Sequence, residues 1–145
     1  MNYKTTLSMP STSFEMKANL NKKEPIFQKK WDNLELEKLI NIKNKNNEVF
    51  ILHDGPPYAN GDIHIGHGLN KILKDFIVRY KNGTGFYSPF IGGWDTHGMP
   101  IEIALQKKDK ISDLTIVEKR VKCKEFASSW IEKQKSQFLS LGLLT

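Results

Sequence analysis

Two histidines three residues apart, His64 and His67, are the side chains best placed to do chemistry. They lie in His64-Ile65-Gly66-His67, after the run Gly55-Pro56-Pro57-Tyr58-Ala59-Asn60-Gly61-Asp62 and before a long amphipathic pattern. A Gly/Pro-rich turn that opens a helix gathers unpaired N–H groups and the positive end of the helix dipole, which suits an anion such as phosphate. Two imidazoles in the first turn add donors that follow charge as it develops on a phosphate. Other readings of the same residues stay open. A histidine pair at a helix start can cap it, and His53, His64, His67 and His97 are enough imidazoles for a zinc site. Asp95, among the glycines of Gly92-Gly93-Trp94-Asp95-Thr96-His97-Gly98, is also the pattern of an Asx turn.

The elements that position these residues can be read from their spacing. Residues 1 to about 20 have no clear period and read as an extended arm with a turn at Met9–Ser13. Pro25 suits the first position of a helix whose apolar face is Ile26, Phe27 and Trp31. A second short helix follows around Leu34, Leu36, Leu39 and Ile40, and the polar run Lys43–Glu48 reads as a loop. Val49–Leu52 is a continuous apolar run, the pattern of a strand buried on both faces. The next helix carries Ile65, Leu69, Ile72, Leu73, Phe76, Ile77 and Tyr80 on its apolar face. Lys71, Lys74, Asp75 and Arg79 fall opposite, and Asn82-Gly83-Thr84-Gly85 ends the helix.

Phe86–Ile91 reads as a second strand, at an edge or bulge because of Pro89. This predicts an α/β fold: the first βαβ half of a Rossmann-like parallel sheet, with a helical N-terminal arm and a long C-terminal helix. Both glycine-rich turns would then face one crevice at the carboxyl ends of the strands. Pro100–Leu105 begins a short helix. A long one follows Thr115, where Thr115-Ile116-Val117-Glu118 matches a capping box, and Gly142 is a plausible stop. The expected division is 1–47 for the arm and its helices and 48–145 for the half-sheet unit.

The 145 residues amount to one domain by length, and 39% hydrophobic with 26% charged residues is ordinary for a soluble globular chain. The net charge of +6 favours polyanions, but the lysines are dispersed. Their densest cluster, Lys43–Asn47, suits either a solvated loop or a nucleic-acid contact. A single cysteine, Cys123, excludes an internal disulfide and a cysteine-based zinc site and fits a reducing compartment. No stretch approaches a transmembrane span and no signal-peptide centre is visible, so the expected location is the cytoplasm.

The chain resembles the class I aminoacyl-tRNA synthetases. The block HDGPPYANGDIHIGHGLNKILKDFIVRYK, residues 53–81, is similar to the family's first signature with its flanks, and GWDTHGMPIE, residues 93–102, to a second block. Lys23-Glu24-Pro25 and Trp31 also fit, so the resemblance covers essentially the whole chain. Both blocks are most similar to the branch of the family that activates isoleucine. Two residues depart from the family pattern: Gly92 stands where proline is usual, and Met99 where leucine is usual.

The resemblance implies ATP, with Mg2+ as its counter-ion, and isoleucine and tRNA(Ile) as partners. It implies no zinc or other metal within these residues, no membrane, and a monomer at full length. His64 and His67 become the catalytic pair. Pro57, Tyr58, Asn60, Gly61, His64, Gly66 and His67 become the ATP side. Gly55, Pro56, Trp94, Asp95 and His97 become the amino-acid side, with Asp95 pairing with the substrate ammonium. Family members are many times longer, so the chain reads as the amino-terminal part of the catalytic domain and is expected to be inactive alone. Two other functions fit the same motifs: a nucleotide-binding half-module without catalysis, and another nucleotidyltransferase with a His-x-x-His turn.

Overall fold

Five α-helices joined by extended segments make up the computed structural model, which describes residues 3–8, 12–13, 15–108, 111 and 113–143. Helix α1 spans Leu20–Asn33, α2 Leu36–Asn44, α3 Ile65–Gly83, α4 Met99–Lys108 and α5 Ile116–Ser140. The N-terminal arm includes a short 3₁₀ turn at Tyr3–Thr6. Residues 9–11 of the expected Met9–Ser13 turn lie outside the described residues. Pro25 sits inside α1, not at its start. The helix opens five residues earlier because the Asn19 carbonyl accepts from both Lys22 N and Lys23 N. As the sixth residue of the helix, the proline lies past the first turn and costs the ladder the bond its N–H would have made to Asn21 O.

The polar run after α2 is less of a loop than its composition suggests. The helix continues to Asn44, which is 3% exposed. Its amide donates to the backbone and side-chain oxygens of Asn82, at 3.0 and 3.2 Å, and so ties α2 to the end of α3. Arg79 makes the matching tie on the other side. It lies 5.1 Å from the Trp31 ring of α1 and donates to the Gly142 carbonyl just past α5.

Among the described residues no β-strand forms, so the βαβ unit is not confirmed. The expected strands are extended segments that meet in one parallel bridge, Val49 with Tyr87. Its bonds are Phe50 N to Tyr87 O at 3.0 Å and Tyr87 N to Glu48 O at 2.9 Å. Val49 and Ile51 are exposed, contrary to a strand buried on both faces. A lone parallel pair with no neighbouring strand gains too little pairing to extend into a ladder.

Helix α3 has the expected period with its faces exchanged. Ile65, Leu69, Leu73, Phe76, Ile77 and Tyr80 are exposed, whereas Gly68, Lys71, Asp75 and Val78 are buried. The polar face turns inward because Asp54 neutralises it. The Asp54 carboxylate is 6% exposed and bonded to Lys71 and, at 2.7 Å, to Lys74. The Lys71 ammonium also lies 5.9 Å from the Phe90 ring and 5.7 Å from that of Phe138, so the stem and charge of a lysine replace an apolar side chain at this contact. Burial alone would raise the Asp54 carboxyl. The hydrogen bonds and charge of the two lysines outweigh that and hold it below its ordinary value.

The apolar core lies where α4 packs on α5 and on the turn before α3. Ala59, Ile101, Leu105, Ile111, Phe126 and Ala127 form it, with Trp94 and Trp130 against its edge. The Thr115–Glu118 capping box is present as the spacing predicts, and Gly142 takes a positive φ of 74° just past α5.

Candidate active site

The first turn of α3 is closed by its own histidines. His64 is the N-cap, and its Nδ1 accepts the Gly66 N–H at 3.1 Å. His67 Nδ1 accepts the His64 N–H at 3.3 Å. This is a capping box in which imidazoles take the parts usually played by Ser or Thr and Glu. The rings stack with centroids 3.8 Å apart and an interplanar angle of 21°. An Nδ1 that accepts an N–H carries no proton, so the proton of each neutral ring sits on Nε2. The cap uses one nitrogen of each ring and leaves a donor on the other. Burial, then the charges of His64 and Lys71, hold the His67 pKa below its ordinary value and favour that neutral form. A Cβ at Gly66 would stand 3.0 Å from the His64 ring and press on the capping imidazole.

The two glycine-rich turns meet directly. Asp95 N donates to Pro57 O at 2.9 Å, and Ala59 N donates to Asp95 O at 3.1 Å, a second parallel bridge. Pro57 and Ala59 are buried, which anchors the turn, while Tyr58 is exposed. Asn60 donates to Pro100 O at 3.4 Å, at the start of α4. The structure therefore brings Pro57 and Tyr58 together with Asp95, while Asn60 is held on the start of α4.

The remaining predicted residues are placed more loosely. Asp95 Oδ1 accepts the His97 N–H at 3.1 Å, so the Asx turn is present. That bond uses one carboxylate oxygen, and the other is the one a cationic ligand group could take. His97 is exposed, and its Nδ1 lies 2.8 Å from Thr96 Oγ1. Gly55 and Pro56 are exposed on the open side of the loop. Trp94 turns its indole towards α5, where Nε1 donates to Gln134 Oε1 at 2.9 Å. Gly92 is exposed with open space around it, and Met99 is exposed at the start of α4.

A cavity of about 970 Å³ opens beside this second turn, lined by Thr96, His97, Ile101, Arg120, Cys123 and Lys124 among others. Burial, and then the Glu102 carboxylate, push the Cys123 thiol up, which keeps it protonated and unreactive. Among the described residues no group of three or more His, Cys, Asp or Glu side chains is arranged to hold a metal. Nor is any helix among them long and apolar enough to cross a membrane.

Sequence reasoning missed the residues that hold the turns from behind. These are Asp54 with Lys71 and Lys74, and Lys133, Gln134 and Gln137 on α5. A signal for Gln134 existed: it interrupts the apolar stripe of Ala127, Trp130, Ile131 and Phe138, where an unpaired amide would be costly.

Residues 26–145 match the family described as tRNA synthetases class I (I, L, M and V), and both motif blocks fall within the match. The chain belongs to this family of class I synthetases. Among curated proteins it is similar to the isoleucine–tRNA ligase of Ureaplasma parvum serovar 3, with 57% identity over 143 residues, 99% of this chain. The isoleucine–tRNA ligases of Mycoplasmopsis agalactiae and Staphylococcus carnosus are each 58% identical, over 100% and 99% of the chain. The chain spans 16% of the length of each of these relatives.

Proposed function

We propose that these residues form the amino-terminal side of a site that activates isoleucine with ATP and then transfers it to tRNA(Ile). The observation that carries this reading is the imidazole capping box, which leaves two Nε2–H donors stacked at a helix N-terminus. Isoleucine's carboxylate oxygen attacks the α-phosphorus of ATP, the bond from that phosphorus to the bridging oxygen breaks, and pyrophosphate leaves; Mg2+ would supply counter-charge to the phosphates. The acyl group of the resulting adenylate then passes to a tRNA hydroxyl, with AMP as the second leaving group. His64 and His67 donate to phosphate oxygens as charge shifts between them, and the helix dipole adds to that field. Pro57, Tyr58, Asn60, Gly61 and Gly66 shape the nucleotide side. Asp95 pairs with the substrate ammonium, while Gly55, Pro56, Trp94 and His97 border the amino-acid side. The high identity to three isoleucine–tRNA ligases supports isoleucine over the other amino acids of the family. A cytoplasmic location is in keeping with a single unpaired cysteine, and the resemblance implies a monomer at full length.

The test uses the ligase that carries these residues. His64→Ala and His67→Ala should each slow adenylate formation by about 10²–10³-fold with isoleucine binding nearly unchanged. Asp95→Ala should weaken isoleucine binding first. Rapid-quench adenylate formation beside equilibrium isoleucine binding separates the two, and histidine variants that chiefly lose isoleucine affinity would reverse the assignment. Residues 1–145 include no Lys-Met-Ser-Lys-Ser loop to hold the phosphates from the opposite side. Alone, they should show little isoleucine-dependent ATP–pyrophosphate exchange.

A further inference from the structure

Gln134 is 1% exposed in the apolar stripe of α5, and all of its bonds go to the two turns. Its Oε1 accepts the Trp94 indole N–H at 2.9 Å, from the turn that carries Asp95. Its Nε2 donates to Tyr58 O at 3.0 Å and Gly61 O at 2.6 Å, in the turn that leads to His64. Both amide hydrogens and the amide oxygen are thus used. An ionised glutamate could not donate to the carbonyls, and a methionine could do neither. One helical turn further on, Gln137 extends the same hold. Its Oε1 accepts the Ile63 N–H at 3.1 Å, and its Nε2 donates to Asp62 Oδ1 at 2.7 Å, where Lys133 also pairs at 2.7 Å. Helix α5 therefore follows the loop from Tyr58 to Ile63, and the next residue is His64.

We infer that Gln134 is a positioning residue that fixes the spacing between the nucleotide turn and the amino-acid turn. It rests on the reading of those turns given above. Gln134 is buried behind both turns and acts through the Trp94 indole and the two carbonyls. The reacting carboxylate and α-phosphate come from opposite turns, so their approach is set by this spacing, and an error of about 1 Å in such an approach costs on the order of 10²-fold in rate.

The experiment measures amide exchange by NMR on the chain itself, comparing wild type with Gln134→Glu and Trp94→Phe. At neutral pH the Gln134→Glu carboxylate faces two carbonyl oxygens to which it cannot donate. The Ala59 and Asp95 amides, which bridge the turns, should then exchange about tenfold faster than in wild type at the same pH. Protection should return in part as the pH falls, since the protonated carboxyl regains one donor for the two carbonyls, while α5 amides stay protected throughout. Trp94→Phe should loosen the Asp95 amide and leave α5 unchanged. Unaltered bridge amides, or equal acceleration across α4 and α5, would overturn the inference in favour of no role or a bulk packing role. ATP is then added. Shifts of the His64 and His67 rings that reach the Trp94 indole in wild type, and not in Gln134→Glu, support a link between the two turns through Gln134. Ring shifts that stop short of Trp94 in wild type count against it. Rings that do not respond to ATP overturn the nucleotide reading alone, since the bridge amides report on Gln134 without ligand.

Discussion

An imidazole that caps a helix through Nδ1 has its tautomer chosen before any ligand arrives. In His64 and His67 this choice also makes the helix start depend on pH. The His67 pKa is held below its ordinary value of 6.5, chiefly by burial. Between that value and the depressed one the unfolded chain binds more protons, so stability rises with pH across this window and falls as the pH is lowered through it. Protonation of Nδ1 also removes the acceptor of the His64 N–H. His67→Ala should therefore destabilise the chain by about 1 kcal/mol at about pH 8, the usual worth of a cap, and by clearly less at about pH 5. Urea titrations of both proteins at the two pH values check this, and an equal difference at both would mean that the ring does not act as a cap. That a histidine pair stood at a helix start was legible from the residues around it. Capping by these rings was one reading the sequence left open; it could not be chosen there, because an imidazole cap lies outside the usual preference for Ser, Thr, Asp and Asn.

At the scale of elements, α3 shows what periodicity can and cannot decide. Spacing divides a helix into two faces, but only the rest of the fold determines which one is covered. Here Asp54, supplied by the turn before the helix, makes the Lys71 and Asp75 side the inner one. Leu73→Gln and Phe76→Gln, on the exposed face, should each change stability by less than about 0.5 kcal/mol. Asp54→Ala leaves Lys71 buried without its carboxylate and should cost about 3–5 kcal/mol. Chemical denaturation of the three variants tests the inversion, and a large loss from Phe76→Gln would restore the face expected from the pattern. Some local signals were sufficient: the Thr115–Glu118 box starts α5, and Gly83 and Gly142 fall at helix ends, whereas Pro25 did not mark the start of α1. The extended segments at Val49–Leu52 and Phe86–Ile91 carried a strand-like composition, yet a ladder depends on neighbours that composition does not describe.

For the whole molecule, the accessible surface is 11524 Å² at a mass of 16.7 kDa. A folded monomer of that mass typically exposes about 7,600 Å². The excess includes the outer face of α3 and the apolar residues of the Val49–Leu52 segment. A chain with so much uncovered apolar surface should melt over a broad range, with a calorimetric enthalpy below the ~0.7 kcal/mol per residue of compact domains. A sharp transition at full enthalpy in scanning calorimetry would show that this surface is closed in solution. The order in which the chain is made gives α5 one more consequence. Gln134 lies 73 residues after Gly61, and the Gln28 amide finds its acceptor, Ser140 O, 112 residues later. At roughly 5–20 residues per second, translation leaves the nucleotide turn without its clamp for about 4–15 s. The histidines that start α3 are thus synthesised seconds before the helix that holds their turn, and a nascent chain that pauses before α5 holds the motif without the geometry that gives it use.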